Sequence, residues 1–348
     1  RTGGGKARNV SQQSIAPLSN ISFHFTDFAP RAFSKLRELD GISSEEYCES
    51  MDPKGFASLV AATGNKFSEG RSGSFFCFTP DKKFILKTIS ERECLLLREI
   101  IPSYFDHLCT NSTSLLVRFY GCHAILIPNT SRNLYFVVMQ NVFLTEKKMH
   151  RRYDLKGSWV RRCVGEAHRL NPTKVLGMDL DLQQKINVGE KKAEEIQKIL
   201  QLDSLFLKSI GLIDYSLLIG IHNRSESNAQ IELLESSEWV VVTSDEEEQK
   251  EEMEKGKEKD TERQTTDAEK RETNKDHNDA EDKGINSTDT RQVFYLGIID
   301  FLQRYDVGKK AERFTKVVLL QKDSKGISCC NPSDYQKRFV ERLSKIFE

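Results

Sequence analysis

The chain lacks what would place it across a membrane or in an oxidising compartment. No apolar run approaches the length of a membrane span, and no signal peptide is visible. Its eight cysteines show no C-x-x-C spacing and no paired framework. Cys77, Cys94 and Cys122 lie inside apolar runs, which is the usage of a reduced, cytosolic protein. Net charge is missing too: Lys+Arg and Asp+Glu are each 52 of 348 residues. That zero is a cancellation. Residues 245–290 hold 18 acidic and 9 basic side chains and almost no aromatic or aliphatic ones. Such a stretch cannot bury enough surface to offset the entropy of folding, so a disordered insert is expected there. The remainder carries 43 basic and 34 acidic groups. A mildly basic body suits an anionic partner such as a nucleotide, a phosphate or an acidic membrane surface. A chain that begins at Arg1 rather than Met is expected to be a fragment, so its targeting is not read from its start.

The order of elements points to an α+β protein with a small antiparallel lobe, a linker and a larger lobe. Residues 1–20, rich in Gly, Ser and Gln, are expected to be flexible. Helical spacing marks 30–39, with Phe33, Leu36 and Leu39 on one face, then a stretch through Tyr47 and Met51. A strand–loop–strand pattern follows: the Gly70–Ser74 loop, Phe75–Thr79, a turn at Pro80, and Phe84–Ile89. A helix is expected from Glu91 to His107, with Leu95, Leu96, Ile100 and Ile101 on its apolar side and a kink at Pro102. Strands are expected at 115–120, 123–128 and 134–139, and a linker at 140–143. Beyond it come a helix over 190–210, with Ile196, Ile199, Leu200, Leu205, Phe206 and Ile210 as its stripe, and strands at 215–221, 239–242 and 293–299. A C-terminal helix carries Tyr335, Phe339, Leu343 and Ile346. The lobes are expected at 21–139 and 140–348, with a loop at 301–328.

The chemistry lies in aspartates set against apolar runs. Asp154 and Lys156 stand in Tyr153-Asp-Leu-Lys-Gly-Ser158. Asp214 opens the run Tyr215–Ile221, and Asp300 closes the run Val293–Ile299. An unpaired carboxylate is costly to desolvate, so repeated aspartates of this kind hold a metal ion or handle a proton. Each alone also fits a turn or helix-capping residue. Gly70, Gly73 and Ser74 would let backbone N–H groups approach phosphate oxygens, although by itself the loop is an ordinary hairpin turn. Lys87 changes that balance. It is the one ammonium in Phe84–Ile89, and nucleotide phosphates with a helix glutamate, Glu93 ahead of Glu91 or Glu99, would partner it. Otherwise it faces solvent on an edge strand. Asp300 sits where a magnesium-holding aspartate would. Asp214 could orient or accept the proton of an attacking hydroxyl, and Asp154 and Lys156 could position the acceptor and the transferring phosphoryl group. Phe314, Val317, Val318 and Leu320, beside Lys309, Lys310, Arg313 and Lys316, form a segment suited to lying on an anionic membrane.

Taken in order, these motifs resemble those of the phosphatidylinositol phosphate kinases. The likeness runs from about Ile21 to Glu348, apart from the insert. It includes Val137–Val142, His150–Ser158, Asp179-Leu-Asp181, Ile213–Leu218, Gly297–Asp300 and Asn331–Phe339. The H-R-D and D-F-G motifs of protein kinases are absent. The resemblance implies a two-lobed lipid-kinase fold distantly like that of protein kinases, with an antiparallel sheet in each lobe and flanking helices. It implies ATP and Mg2+ as cofactors. Gly70, Gly73, Ser74, Lys87, Glu93, Met139 and Asn141 would bind ATP, and Asp300 would hold the metal. Asp214, Asp154 and Lys156 would form the catalytic set.

The loop after Asp300 would be the activation loop that meets the membrane and selects the substrate, through Lys309, Lys310 and Glu312. A glutamate at 312 resembles the branch that acts on the 4-phosphate to make phosphatidylinositol 4,5-bisphosphate; the 5-phosphate 4-kinase branch has alanine there. The implied partners are a phosphoinositide and an anionic membrane surface, with a homodimer allowed and no nucleic acid. The implied place is the cytosolic face of membranes, the plasma membrane first. The alternatives are a 5-phosphate 4-kinase and a non-catalytic phosphoinositide-binding scaffold. Two departures from the family pattern stand beside the site: Met178 where lysine is usual, and Trp159 where a small hydroxyl residue is usual.

Overall fold

The computed structural model describes residues 24–51, 76–126, 132–224, 283–315, 317 and 323–348. They fall into two compact units. One comprises the chain to Glu91 with Tyr120–Val138; the other comprises Arg92–Phe119 with Met139–Glu348.

The first unit is built on a five-stranded sheet. Its elements are β1 (His24–Asp27), α1 (Pro30–Leu39), α2 (Ser44–Ser50), β2 (Phe76–Phe78), β3 (Phe84–Ile89), β4 (Phe119–Leu126) and β5 (Asn133–Gln140), with strand order β1-β4-β5-β3-β2. Proline at the first position of α1 needs no N–H partner, so the helix starts there. Phe33 and Leu36 point inward as the spacing requires, whereas Leu39 is exposed. Ser43 caps α2 by accepting from the Glu46 amide at 3.0 Å. Tyr47, Phe84, Leu86, Tyr120, Ile125, Phe136 and Val138 form the core. Phe84 meets both Tyr47 and Tyr120 edge-on.

Strand alternation decides how Lys87 is placed. Phe84 and Leu86 share the core face, and Lys87, half-buried, is on the other, opposite Phe76 of β2. The strands expected at 115–120 and 123–128 are not separate: one strand, β4, covers Phe119–Leu126 and runs through Gly121, and residues 115–118 lie outside it. A Cβ at Gly121 would lie 2.3 Å from the Tyr47 hydroxyl and 2.4 Å from His123 Nε2. The glycine is there for this close approach and does not break the strand.

The second unit carries a four-stranded antiparallel sheet, β6-β7-β9-β8, formed by β6 (Arg151–Leu155), β7 (Ser216–Asn223), β8 (Ile285–Asn286) and β9 (Gln292–Ile299). Its helices are α3 (Glu91–Thr110), α4 (Glu166–Leu170), α5 (Glu190–Ser209), α6 (Val307–Phe314) and α7 (Pro332–Leu343). α3 continues through Pro102 to Thr110. Leu95 and Leu205, read as core residues, are exposed.

The buried face of α5 instead includes Asp203, fully buried, which accepts from His107 at 2.7 Å, from the Ser114 hydroxyl at 2.8 Å and from the Leu115 amide at 2.8 Å. Leu115 in turn accepts from the Ile298 amide. A buried carboxylate with its acceptor sites filled therefore ties two helices to the end of β9. Tyr335, Phe339 and Leu343 of α7 are buried as expected, while Ile346 falls in a following 3-10 turn and is half-buried.

Part of the stretch 245–290, read as unstructured throughout, is a strand. Ile285 and Asn286 pair with Phe294 and Val293 of β9. The expected strand at 239–242 and the expected glycine loop at Gly70, Gly73 and Ser74 lie outside the described residues.

Candidate active site

Sheet register gathers the aspartates. β6 and β7 run antiparallel with Leu155 opposite Leu217, and β7 and β9 run antiparallel with Ser216 opposite Ile299. The end of β6, the start of β7 and the end of β9 therefore share one edge. Lys156 follows β6, Asp214 precedes β7 and Asp300 follows β9. Three segments far apart in sequence bring an ammonium and two carboxylates to the same edge for this reason alone.

The backbone there is strained. Asp214 and Asp300 have φ of 66° and 62°. A non-glycine residue in the left-handed region costs of order 1–3 kcal/mol, and Asp tolerates it better than most. Gly157 is left-handed as well, and a Cβ on it would lie 3.1 Å from the Arg338 carbonyl oxygen and the Phe339 Cα. No side chain fits, so the turn after Lys156 can press against α7.

The charges alternate. Lys156 Nζ donates to Asp214 Oδ1 at 2.9 Å, with their side chains 18% and 27% exposed. Burial alone would push the Asp214 carboxyl up. Lys156, then Lys309 and the Ser328 hydroxyl, outweigh it and hold the group below the ordinary aspartate range. Burial likewise opposes the Lys156 charge, and Asp214 and Asp154 together raise its pKa above the usual value. Lys309 is held charged in the same way, against burial, by Glu312 and Asp214. Its Nζ lies 2.8 Å from Glu312 Oε2.

On the other side, Arg162 forks between Asp154 Oδ1 at 2.5 Å and Asp179 Oδ2 at 2.7 Å. Asp179 also accepts from the Lys156 amide. Burial disfavours the guanidinium charge, but the two carboxylates override this and raise its pKa. Asp181 binds backbone N–H groups of Val164, Gly165 and Met178 at 2.8–2.9 Å. Only the Met178 amide enters this network, and a lysine at that position would supply the same bond.

Sequence reading named Asp154, Lys156 and Asp214, and these lie together with Lys309 and Glu312. It missed Arg162 and Ser328. The paired arginines Arg161-Arg162 after the Gly-Ser turn were the only available signal for Arg162; nothing local marks Ser328. Two of these side chains already have partners. Asp154 already has a buried arginine on one oxygen. Lys309 is drawn inward by Glu312 and Asp214 and is not a free surface charge. Lys310 is the exposed lysine of α6, with its Nζ 6.0 Å from the Tyr305 ring centroid. Among the nucleotide-site expectations, Met139 is a buried residue of β5, and Asn141 caps the turn after it by accepting from the Phe143 amide at 3.0 Å. Glu93 is half-buried in the first turn of α3 in the second unit; Lys87 belongs to the first.

Two antiparallel sheets with flanking helices fit a lipid kinase of the phosphatidylinositol phosphate kinase class. The chain belongs to the phosphatidylinositol-4-phosphate 5-kinase family, whose sequence profile it matches over residues 61–346. It is 34% identical to a phosphatidylinositol 4-phosphate 5-kinase of Plasmodium falciparum across 93% of this chain and 18% of that protein. It is 34% identical to a probable phosphatidylinositol phosphate kinase of Dictyostelium discoideum, across 95% of this chain and 48% of the relative. For phosphatidylinositol 4-phosphate 5-kinase 1 of Arabidopsis thaliana the identity is 30%, over 95% and 46%. The chain thus spans less than half the length of these relatives.

Proposed function

We propose that the chain is the catalytic region of a phosphatidylinositol 4-phosphate 5-kinase, which transfers the ATP γ-phosphoryl group to the inositol 5-hydroxyl. The observation that carries the proposal is the Lys156–Asp214 pair at 2.9 Å, on the sheet edge that also presents Asp300.

In this reading the 5-hydroxyl oxygen forms a bond to the γ-phosphorus as the bond from phosphorus to the β,γ-bridging oxygen breaks, and ADP leaves with that electron pair. Asp214 accepts the hydroxyl proton. Held ionised by Lys156 and Lys309, it is a weak base that orients the hydroxyl first and takes the proton late, which suits a loose phosphoryl transition state. Lys156 places positive charge at the same point. Lys87 would meet the nucleotide phosphates. Asp300 presents one exposed carboxylate beyond β9. Among the described residues no three acidic or His/Cys side chains form a metal cage. One hard oxygen donor fits magnesium, which takes one or two carboxylates and fills its other positions with phosphate oxygens and water. Magnesium bound there would neutralise charge on the phosphates.

Association with an anionic membrane is supported by α6. Val307 and Phe314, 80% and 60% exposed, lie seven positions apart on one face of that helix, with exposed Lys310 between them in sequence. No helix among the described residues is long and apolar enough to cross a membrane.

The deciding assay is ATP turnover on vesicles containing the 4-phosphate or the 5-phosphate lipid. The 4-phosphate should be the better substrate. Lys87→Met and Asp300→Asn should lose most activity while melting as wild type, because positioning and charge neutralisation supply several kcal/mol of the barrier reduction. Wild-type turnover in either folded variant, or no turnover on any phosphoinositide, would overturn the reading.

A further inference from the structure

Trp159 stands three residues after Lys156, and the structure gives it specific work. Its indole Nε1 donates to Asp323 Oδ2 at 2.9 Å. The Trp159 and Val160 amides both approach the Gly326 carbonyl oxygen at 3.2 Å. The Arg342 guanidinium of α7 lies 4.8 Å from the indole centroid, within cation–π range. A Cβ on Gly326 would meet the indole at 2.4–2.8 Å, so the ring lies flush against that residue's backbone. Arg338 brackets the same glycine, donating to the Lys325 and Ile327 carbonyl oxygens at 2.9 and 2.7 Å. Asp323–Gly326 is a turn closed by the Gly326 amide on the Asp323 carbonyl at 3.0 Å. Ser328, whose hydroxyl is the smallest of the influences that hold the Asp214 pKa down, follows two residues later.

We propose that Trp159 is a positioning residue: it clasps the Asp323–Gly326 turn, at the C-terminal base of the loop that follows Asp300, and so sets where the Ser328 hydroxyl stands against Asp214. The geometry is that of a side-chain latch. Lys156 fixes Asp214 from the β6 side. Trp159, on the same segment, fixes the returning strand of the loop. The two contacts share one short stretch, Lys156–Val160, so displacement of the loop base would shift a group that faces the Asp214 carboxylate. A threonine or serine at 159 could not reach both the Asp323 carboxylate and the face of Gly326.

The inference rests on Asp214 being the group that meets the acceptor hydroxyl, and its test separates the two ideas. Trp159 and Trp239 are the only tryptophans, so Trp239→Phe leaves Trp159 as the sole indole reporter. In that full-length background, Asp323→Ala, a substitution at an exposed residue that should not impair folding, is expected to red-shift Trp159 emission and increase its quenching by acrylamide. Unchanged emission and quenching would overturn the clasp whatever the enzyme does. In the otherwise native chain, Trp159→Ala and Ser328→Ala are each expected to lower kcat about tenfold with KM for ATP unchanged, the effect of a small misplacement near the reacting atoms. The double variant should lose little more than either single one, and Trp159→Phe should recover part of the loss by restoring the stack. Fully additive losses, or a wild-type kcat in Trp159→Ala, would overturn the link to Ser328. Loss of indole order in Asp323→Ala, in a protein with no phosphoinositide turnover, would uphold the clasp and count against the kinase reading alone.

Discussion

Lys309 pairs with Glu312 at 2.8 Å, and the same ammonium is one of the cations that keep Asp214 ionised. Glu312, the residue expected to separate the two branches of the family, is thus one charge away from the residue proposed to meet the acceptor hydroxyl. Loop and site are not independent: Glu312 restrains Lys309, and Lys309 acts on Asp214.

Replacing Glu312 with alanine should release Lys309 and relax the pose of α6 over the inositol ring. Specificity is a difference between two transition-state affinities, so a small loss of restraint is enough to shift it. Use of the 4-phosphate lipid should fall and use of the 5-phosphate lipid should rise. Paired rates on both lipids check this; an unmoved ratio would leave Glu312 without a role in selection.

The Lys156–Asp214 pair predicts a stability profile with a definite sign. The folded pKa of Asp214 lies below its unfolded value of about 3.9. Its stabilising contribution is therefore full above that value and is lost as pH falls through the lower folded value. The Lys156 contribution, from a raised pKa, is full below the unfolded value of about 10.4 and fades as pH rises through the higher folded one. Across pH 5–8 both persist. In Lys156→Met the burial that opposes the Asp214 charge loses its main counterweight, so the carboxyl should rise. The gap in melting temperature between wild type and Lys156→Met should then widen from pH 4 to pH 7. A gap that is constant with pH would mean that the pair contributes by packing, not by charge.

Much of this site was legible from the order of its motifs, but the geometry required the sheet. Asp154, Lys156, Asp214 and Asp300 stood out because charges beside apolar runs need partners. That the last three share an edge follows from strand register, which periodicity does not give. Lys87 was easy to find and hard to orient: an apolar hexamer with one lysine does not reveal which face is core until β3 is seen to alternate. Asp203 was hidden because an acid within a helical stripe looks like a solvent position, and only tertiary donors make its burial tolerable. The break expected between 120 and 123 falls at Gly121, a glycine that admits a tyrosine hydroxyl and does not end the strand. Ser328 had no local signal, because its partner lies more than a hundred residues upstream.

The acidic stretch offers a plain test of composition. β7 ends at Asn223 opposite Gln292, and the Arg224 amide bonds the Arg291 carbonyl oxygen at 2.8 Å. The chain on either side of the stretch is therefore already fixed on neighbouring strands. Replacing residues 246–282 with a short Gly/Ser connector should leave the melting temperature nearly unchanged, since loop-closure entropy varies slowly with length. The deletion keeps Ile285 and Asn286, whose pairing with β9 should be retained. A drop of many degrees would show that the acidic segment packs on the body.

The membrane prediction depends on which charges on α6 are free. Lys309 is 21% exposed and engaged, whereas Lys310, Val307 and Phe314 face outward. Each free basic group near an anionic leaflet adds about 1 kcal/mol of attraction, screened by salt. Each buried apolar side chain adds of order 1.5–3 kcal/mol if it leaves water completely. Lys310→Glu with Phe314→Ser should therefore weaken co-sedimentation with anionic vesicles strongly, while affinity for ATP stays unchanged. Lys309→Glu should behave differently. It places a carboxylate beside Glu312 and Asp214, so it should cut turnover even on soluble short-chain lipid, where no membrane surface is present. Vesicle binding and short-chain turnover, measured side by side for the two variants, separate the roles. If Lys309→Glu lost only vesicle binding and kept its soluble turnover, Lys309 would be a membrane contact, and the charge chain from Glu312 to Asp214 would have no part in the reaction.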